Sequence, residues 1–306
     1  MTPDLANRIS RLTLGTVQLG MDYGSFVPTS PPAHDAILQI FNNAIAGGVT
    51  CLDTAPAYGS SETAIGGWLA AATIADRRDR PFIVTKLSAL EGIGDLDIGD
   101  EIRQRAQGSL ARLRTDRLDG YLVHRAADLF RPGAADALRD LVDEELIGGF
   151  GLSVYEPAEL EAALTIDGLA LVQLPFNVFD RRFAESGLIA RAADLDITVF
   201  ARSTFLQGVA FLAPNKLPHM LSDLQTPLAQ LHALAKSSGH PIAGLCLQAV
   251  LSEPGVASVV VGASRLDELN QSLAAAASEI DKGLLSAIRQ LASGVDEALI
   301  DPRRWT

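Results

Sequence analysis

Short apolar runs of strand length alternate along this chain with longer segments of helical period, about eight times over. The strand-like runs are Leu12–Thr16, Thr50–Asp53, Phe82–Thr85, Leu118–Val123, Gly149–Leu152, Leu169–Leu174, Thr198–Ala201 and Ala257–Val261. Between them, apolar residues spaced three and four apart predict helices over Ala36–Ala46, Glu62–Ala72, Glu101–Leu113, Ala134–Glu144, Glu159–Leu164, Ala184–Ala193 and Asp267–Ala276. A helix after each strand returns the chain to the same sheet end, so successive strands run parallel. The expected fold is α/β, a (β/α)8 barrel rather than a doubly wound sheet. No Gly-x-Gly-x-x-Gly follows the first run, and Gly15-Thr-Val-Gln-Leu-Gly20 has the wrong spacing for a Rossmann phosphate turn.

Two stretches exceed the minimal repeat. Gly208–Leu217, with Pro214 and Pro218 close together, reads as a long loop after the seventh strand, placed to act as a lid. Helical patterns at Pro241–Leu251 and Gly283–Leu291 read as additional C-terminal helices beyond the barrel. No Ser/Gly-rich linker or charge block divides the chain, so a single domain over residues 1–306 is expected. The tail Asp301-Pro-Arg-Arg-Trp-Thr306 either folds over the barrel or frays.

A net charge of −12 opposes general affinity for nucleic acid or anionic membrane, since both need a basic face. The cysteines, Cys51 and Cys246, sit among apolar neighbours as buried thiols do, which points to a reduced, cytoplasmic protein. The start Met-Thr-Pro-Asp lacks a basic stretch followed by an apolar core, and no apolar run reaches the roughly 18 residues of a membrane span. Neither export nor membrane insertion is expected. The five histidines, His34, His124, His219, His232 and His240, show no metal-ligand spacing, so no metal is expected.

Against this background, Asp53, Tyr58, Lys86 and His124 stand at or just beyond the ends of three successive apolar runs. In a parallel barrel those ends share one face, so the four side chains would meet. A tyrosine hydroxyl is a poor proton donor at neutral pH, but an adjacent ammonium lowers its pKa. Lys86 is the candidate cation, Asp53 its charge partner, and His124 a hydrogen-bond donor to a substrate oxygen. Such a site suits hydride transfer to a carbonyl carbon with Tyr58 as general acid, or the reverse with Tyr58 as base. Each residue taken alone also fits a plainer role. Asp53 suits a turn cap, Tyr58 a loop aromatic, Lys86 a solvated strand end and His124 a structural histidine.

The segment Leu52-Asp-Thr-Ala-x-x-Tyr-Gly59, with strand-end Lys86 and His124, resembles the aldo-keto reductase family. Gly15-Thr16, Gly151-Leu-Ser153 and Leu171-Val-Gln-Leu-Pro-Phe-Asn177 resemble the family's first, fifth and sixth strand ends. The likeness covers nearly the whole chain. It implies a TIM barrel, Tyr58 as proton donor supported by Lys86, Asp53 and His124, and a nicotinamide dinucleotide held without a Rossmann domain. Gly15, Thr16 and Asp53 are implied as cofactor contacts, and Ser153 and Gln173 as partners of the nicotinamide carboxamide, although Val154 replaces the family's asparagine. Arg202-Ser-Thr-Phe-Leu-Gln-Gly208 resembles the loop that covers the pyrophosphate, with Arg202, Ser203, Leu206 and Gly208 as contacts. Gly262 is implied as a further cofactor contact, Ser264, Arg265 and Glu268 stand where the adenosine 2′ position is met, and Gln271 and Ser272 replace the family's usual acidic residue and asparagine near the adenine. Ser264-x-x-Asp267 also fits a capping box. Ser264 and Arg265 suit a 2′-phosphate whereas Glu268 opposes one, so the implied cofactor leans slightly toward NADP(H) over NAD(H).

Tyr23, Tyr58 and His124 are the substrate candidates, with Met21, Phe26, Trp68 and Phe205 as further apolar wall residues. The resemblance extends to bacterial members linked to sugar carbonyls. Two other functions stay open on the residues. One is a barrel aldolase forming a Schiff base on Lys86, and the other a nicotinamide-binding redox sensor with little turnover.

Overall fold

The computed structural model describes residues 8–24, 26, 29–72 and 80–305. Met1–Asp4 and Thr306 lie outside that range. Eight parallel strands close into a barrel in sequence order. They are β1 Leu12–Gly15, β2 Cys51–Asp53, β3 Phe82–Leu87, β4 Gly120–Val123, β5 Phe150–Ser153, β6 Leu169–Pro175, β7 Thr198–Arg202 and β8 Val256–Gly262. β1 pairs with both β2 and β8, which completes the closure.

Side chains alternate across each strand, and only one face of a closed barrel points inward. The inward set is Cys51, Phe82, Val84, Leu122, Leu171 and Phe200, joined by Ile9 just ahead of β1. Within it the Thr13 and Ser258 hydroxyls pair with each other at 2.7 Å. Two residues further along the same strands come Asp53, Lys86, His124, Gln173 and Arg202. The period of two therefore turns them toward the barrel axis at its carboxyl end.

The opposite strand faces pack beneath the helices. Leu14, Leu52, Ile83, Tyr121, Leu152, Val172, Val199 and Val259 join Ile40, Phe41, Ile65, Ile102, Leu138 and Leu160 in the main core. Buried Glu62 ties two helices to a strand by accepting from Thr85 Oγ1 and Arg112 Nε, both at 2.6 Å. Gly151 lets β5 and β6 approach where their register shifts, since a Cβ there would lie 1.9 Å from the Leu171 carbonyl oxygen.

The expected strands and most helices are present, with shifts at their ends. Ala184–Ala193 instead forms Arg182–Glu185 and Leu188–Asp194, divided at Gly187, whose φ of 73° ends a helix readily. Pro241–Leu251 is not an addition to the barrel. Its helix, Ile242–Leu251, is the seventh helix of the repeat, packed on β8 and on helix Leu266–Ala276. The insertion is the preceding helix, Gln225–Ser238, whose Leu228 and Leu231 are fully buried. With Lys282–Arg289 it builds a second core around Leu206, Val209, Leu224, Leu245 and Ile288. Ile242–Leu251 is apolar nearly all round because it lies between the two cores. The long Gly208–Leu217 connection overlaps 3-10 turns at Leu206–Phe211 and Pro214–Lys216.

Gly151→Ala should lower unfolding free energy by about 1–3 kcal/mol, because backbone rather than a mobile side chain fills the space. Gly67→Ala, in a helix with nothing within 4 Å of the new methyl, should be neutral or stabilising by up to ~1 kcal/mol. Urea titrations giving the two variants the same midpoint would contradict this account of the β5–β6 approach.

Candidate active site

The carboxyl end of the barrel opens into a cleft of ≈ 620 Å³ lined by Gly15, Tyr23, Asp53, Tyr58, His124, Ser153, Gln173, Arg202 and Gly262, among others. Its polar floor is organised by Asp53. That carboxylate is 4% exposed, and its Oδ1 accepts from Lys86 Nζ at 2.7 Å and from Gln173 Nε2 at 2.7 Å. Lys86, 1% exposed, also donates to the Thr54 carbonyl at 3.0 Å. Neither charge could stay buried alone at modest cost, so each fixes the other. Burial by itself would lower the Lys86 pKa, but the carboxylate of Asp53 and the phenol of Tyr58 hold it above its ordinary value.

Tyr58 comes from the loop after β2. The loop is wedged against the short helix Val17–Gly20, where the Ser60 amide donates to the Gly20 carbonyl at 3.2 Å. A Cβ on Gly20 would lie 1.9 Å from the Tyr58 carbonyl oxygen, and Gly59 has a φ of 59°. Both glycines are therefore required for Tyr58 to sit where it does. The Lys86 ammonium lies 4.8 Å from the tyrosine ring centroid, and the His124 ring stands edge-on to it at 6.2 Å.

The electrostatics depart from expectation in one respect. Lys86 does pull the Tyr58 pKa down, but burial outweighs it and Asp53 adds to the rise, so the phenol is held above its ordinary value. His124 is pushed down to about 4, first by burial and then by the Lys86 charge. It is thus a neutral imidazole at physiological pH.

The candidates from the sequence divide clearly. Gly208, Ser203, Arg265, Glu268, Gln271 and Ser272 line the cleft with the residues above. Thr16 does not, since it is fully buried with its hydroxyl on the Asp53 carbonyl and on Ser61 Oγ. Leu206 turns its side chain into the second core. Ser264 is engaged internally, its amide and hydroxyl both donating to Glu268 Oε2 at 2.8 and 3.0 Å. Asp267 does not close a capping box with it, and pairs instead with Arg265 at 2.6 Å. Phe205 lines the cleft, whereas Met21 and Trp68 do not. Trp68 packs on Phe41 and donates to Asn42, and Phe26 stacks on Trp305. Val154 is buried and its carbonyl accepts from Arg202.

Tyr155 and Thr204, which the sequence reading missed, also line the cleft. Each lies two residues past an inward strand-end position, Ser153 and Arg202, so the alternation continued one step would have found them. Pro302, brought in by the tail, carries no local signal. The loop after β7 is strained. Ser203, Leu206 and Gln207 have φ of 62°, 45° and 52°, values that cost roughly 1–3 kcal/mol each and gather at functional sites. The Thr204 hydroxyl is buried without a partner among the described residues.

The aldo/keto reductase family profile matches residues 11–293, and the chain belongs to that family of carbonyl oxidoreductases. Its relatives include the aldo-keto reductase YhdN of Bacillus subtilis, 27% identical over 87% of this chain and 85% of that protein. Another is the aldo-keto reductase str7 of Strobilurus tenacellus, 25% identical over 85% of this chain and 82% of that one. Among solved structures, the holo form of aldo-keto reductase AKR11C1 from Bacillus halodurans superposes with a TM-score of 0.74, covering 96% of each chain at 23% identity. No helix among the described residues is long and apolar enough to cross a membrane.

An unfolded histidine takes up its proton near pH 6.5, whereas folded His124 does so only near 4. Between those values the unfolded chain binds more protons, so stability present above pH 6.5 is lost as the pH falls through the window. Going from pH 7.5 to 5, this group should cost about 2 kcal/mol of unfolding free energy. His124→Gln should lose correspondingly less over the same interval in denaturant titrations. Equal losses would mean that the imidazole is not held neutral by its surroundings.

Proposed function

We propose that the protein reduces a small aldehyde or ketone to the alcohol, and runs the reverse, with NAD(H) or NADP(H) and with Tyr58 as the proton donor. The observation that carries this reading is the meeting of Tyr58, neutral His124 and the Lys86–Asp53 pair at one end of a cleft. The Thr204 hydroxyl, without a partner among the described residues, and the strained 203–208 loop on the same cleft fit a pyrophosphate, with Ser153 and Gln173 toward the nicotinamide and Gln271 and Ser272 toward the adenosine. When bound, the dinucleotide supplies or accepts the hydride.

The chain's own residues handle the proton. Burial keeps Tyr58 protonated at neutral pH, so the hydroxyl is always available to give its proton to a substrate oxygen. Lys86, charged because Asp53 faces it, stabilises the phenolate that forms, and solvent restores the proton. His124 donates a hydrogen bond to the same oxygen and orients it without bringing a second charge. A Schiff base on Lys86 would need the free amine, which the raised Lys86 pKa opposes. Two reduced, buried cysteines suit a cytoplasmic setting.

Tyr58→Phe removes only the hydroxyl and should cut turnover by about 10²–10⁴-fold, with the NADH and NADPH dissociation constants changed less than about threefold. Near-normal turnover would remove Tyr58 from its role.

The sequence leans slightly to NADP(H), but the side chains at the adenosine end favour NAD(H). Arg265 is neutralised by Asp267 at 2.6 Å, with Glu268 at 3.8 Å, and Glu268 occupies the Ser264 donors. A dianionic 2′-phosphate would meet two carboxylates, whereas a ribose diol can donate to one. Fluorescence titration should therefore show tighter NADH than NADPH binding, and Glu268→Gln should shift that ratio toward NADPH by tenfold or more. An unchanged ratio would mean that Glu268 does not set the preference.

A further inference from the structure

Among the described residues two arginines line the cleft, of which Arg265 is paired with a carboxylate and Arg202 is not. Arg202 ends β7 on the inward face, one rung above Gln173, and its guanidinium lies 4.1 Å over the Tyr155 ring. Nη2 donates to the Val154 carbonyl at 2.9 Å, and Nη1 donates weakly to Ser203 Oγ at 3.3 Å. A guanidinium has five N–H donors, so most of this one's capacity has no partner among the described residues. The chain has 37 acidic residues against 25 basic ones, and nearby Arg303 is paired with Asp301 and with Glu156. A half-buried cation left without a carboxylate in so acidic a protein is an open charge site.

We propose that Arg202 anchors an anionic group of the substrate, so that the carbonyl compound turned over here carries a carboxylate or phosphate a short distance from the reacting carbon. The proposal rests on the oxidoreductase reading and deepens it. The Tyr155 ring holds the guanidinium in place at 4.1 Å, and its N–H groups without a partner among the described residues can meet the oxygens of an anion. The Arg202 charge is felt at the reacting end, where it pulls the pKa of Tyr58 and of His124 downward. Arg202, Tyr58 and His124 line the same cleft, so an anion bound to Arg202 can orient the carbonyl attached to it toward the proton donor. This role differs from the pyrophosphate contact that the sequence resemblance implies for Arg202.

The test compares aldehydes of matched chain length ending in a methyl, a carboxylate or a phosphate, for the full-length enzyme and for Arg202→Gln and Arg202→Lys. NADH and NADPH dissociation constants are measured by fluorescence for each protein. The unaltered enzyme should prefer an anionic member by at least tenfold in kcat/KM, and the better of the two identifies the anion. Arg202→Gln should erase that preference through KM, Arg202→Lys should restore part of it, and cofactor affinity should move by less than threefold. No anion preference in the unaltered enzyme, with cofactor bound and neutral aldehydes reduced, overturns the anchor alone. Equal losses for anionic and neutral members with weakened cofactor binding assign Arg202 to the dinucleotide and also overturn it. Failure to bind either cofactor or to reduce any aldehyde overturns the oxidoreductase reading, and the anchor with it.

Discussion

The candidate active site depends on one buried ion pair. Asp53 and Lys86 come from adjacent strands and are almost wholly removed from water, a placement that costs several kcal/mol per ion if either stands alone. Gln173, from the far side of the barrel, gives its amide hydrogen to the same carboxylate oxygen. Three strands are thus tied to one atom. Fixing Lys86 in turn sets the field at Tyr58 and His124. Burial tends to keep all three uncharged, and only the lysine has a partner able to reverse that tendency. The outcome is a neutral phenol and a neutral imidazole beside a permanent cation, a combination suited to handing over one proton while holding the charge left behind.

That arrangement depends on the outer layers being rigid. Val17–Gly20 and the 58–61 turn approach so closely that no side chain fits at Gly20. Buried Glu62 then ties the following helix to β3 and to the helix carrying Arg112. The second core serves the other rim. Leu206 and Val209 anchor the strained turn after β7 in it, so the energy stored in three left-handed non-glycine residues is balanced by apolar burial outside the cleft. The tail adds Pro302 to the cleft wall, held by Trp305 on Phe26 and Arg303 over Tyr155.

Polar placement also distinguishes the two ends of the cleft. Around the start of helix Leu266–Ala276, Arg265 is paired with Asp267, and Glu268 accepts from the Ser264 amide and hydroxyl. Beside Tyr155, Arg202 has an aromatic ring and a carbonyl but no carboxylate among the described residues.

The sequence by itself determined the barrel, because strand-length and helix-length periodicities alternate and the strand period turns Asp53, Lys86, His124, Gln173 and Arg202 inward. It also marked these residues, since a polar side chain ending an apolar run needs a reason. Tyr155 and Thr204 were within reach of the same rule. What only the tertiary structure decided is where non-local partners compete for the same group. Gln173 gives an amide donor to Asp53, Ser264 is engaged by Glu268, Leu206 by the second core, and Ile242–Leu251 is a barrel helix because it is covered on two sides. The net direction of the Tyr58 pKa belongs here too, since adjacency to Lys86 could be inferred from strand order but the larger effect of burial could not. Local pattern specifies which way a side chain points; which neighbour it meets there, and how much water remains, is set by chain segments far away in sequence.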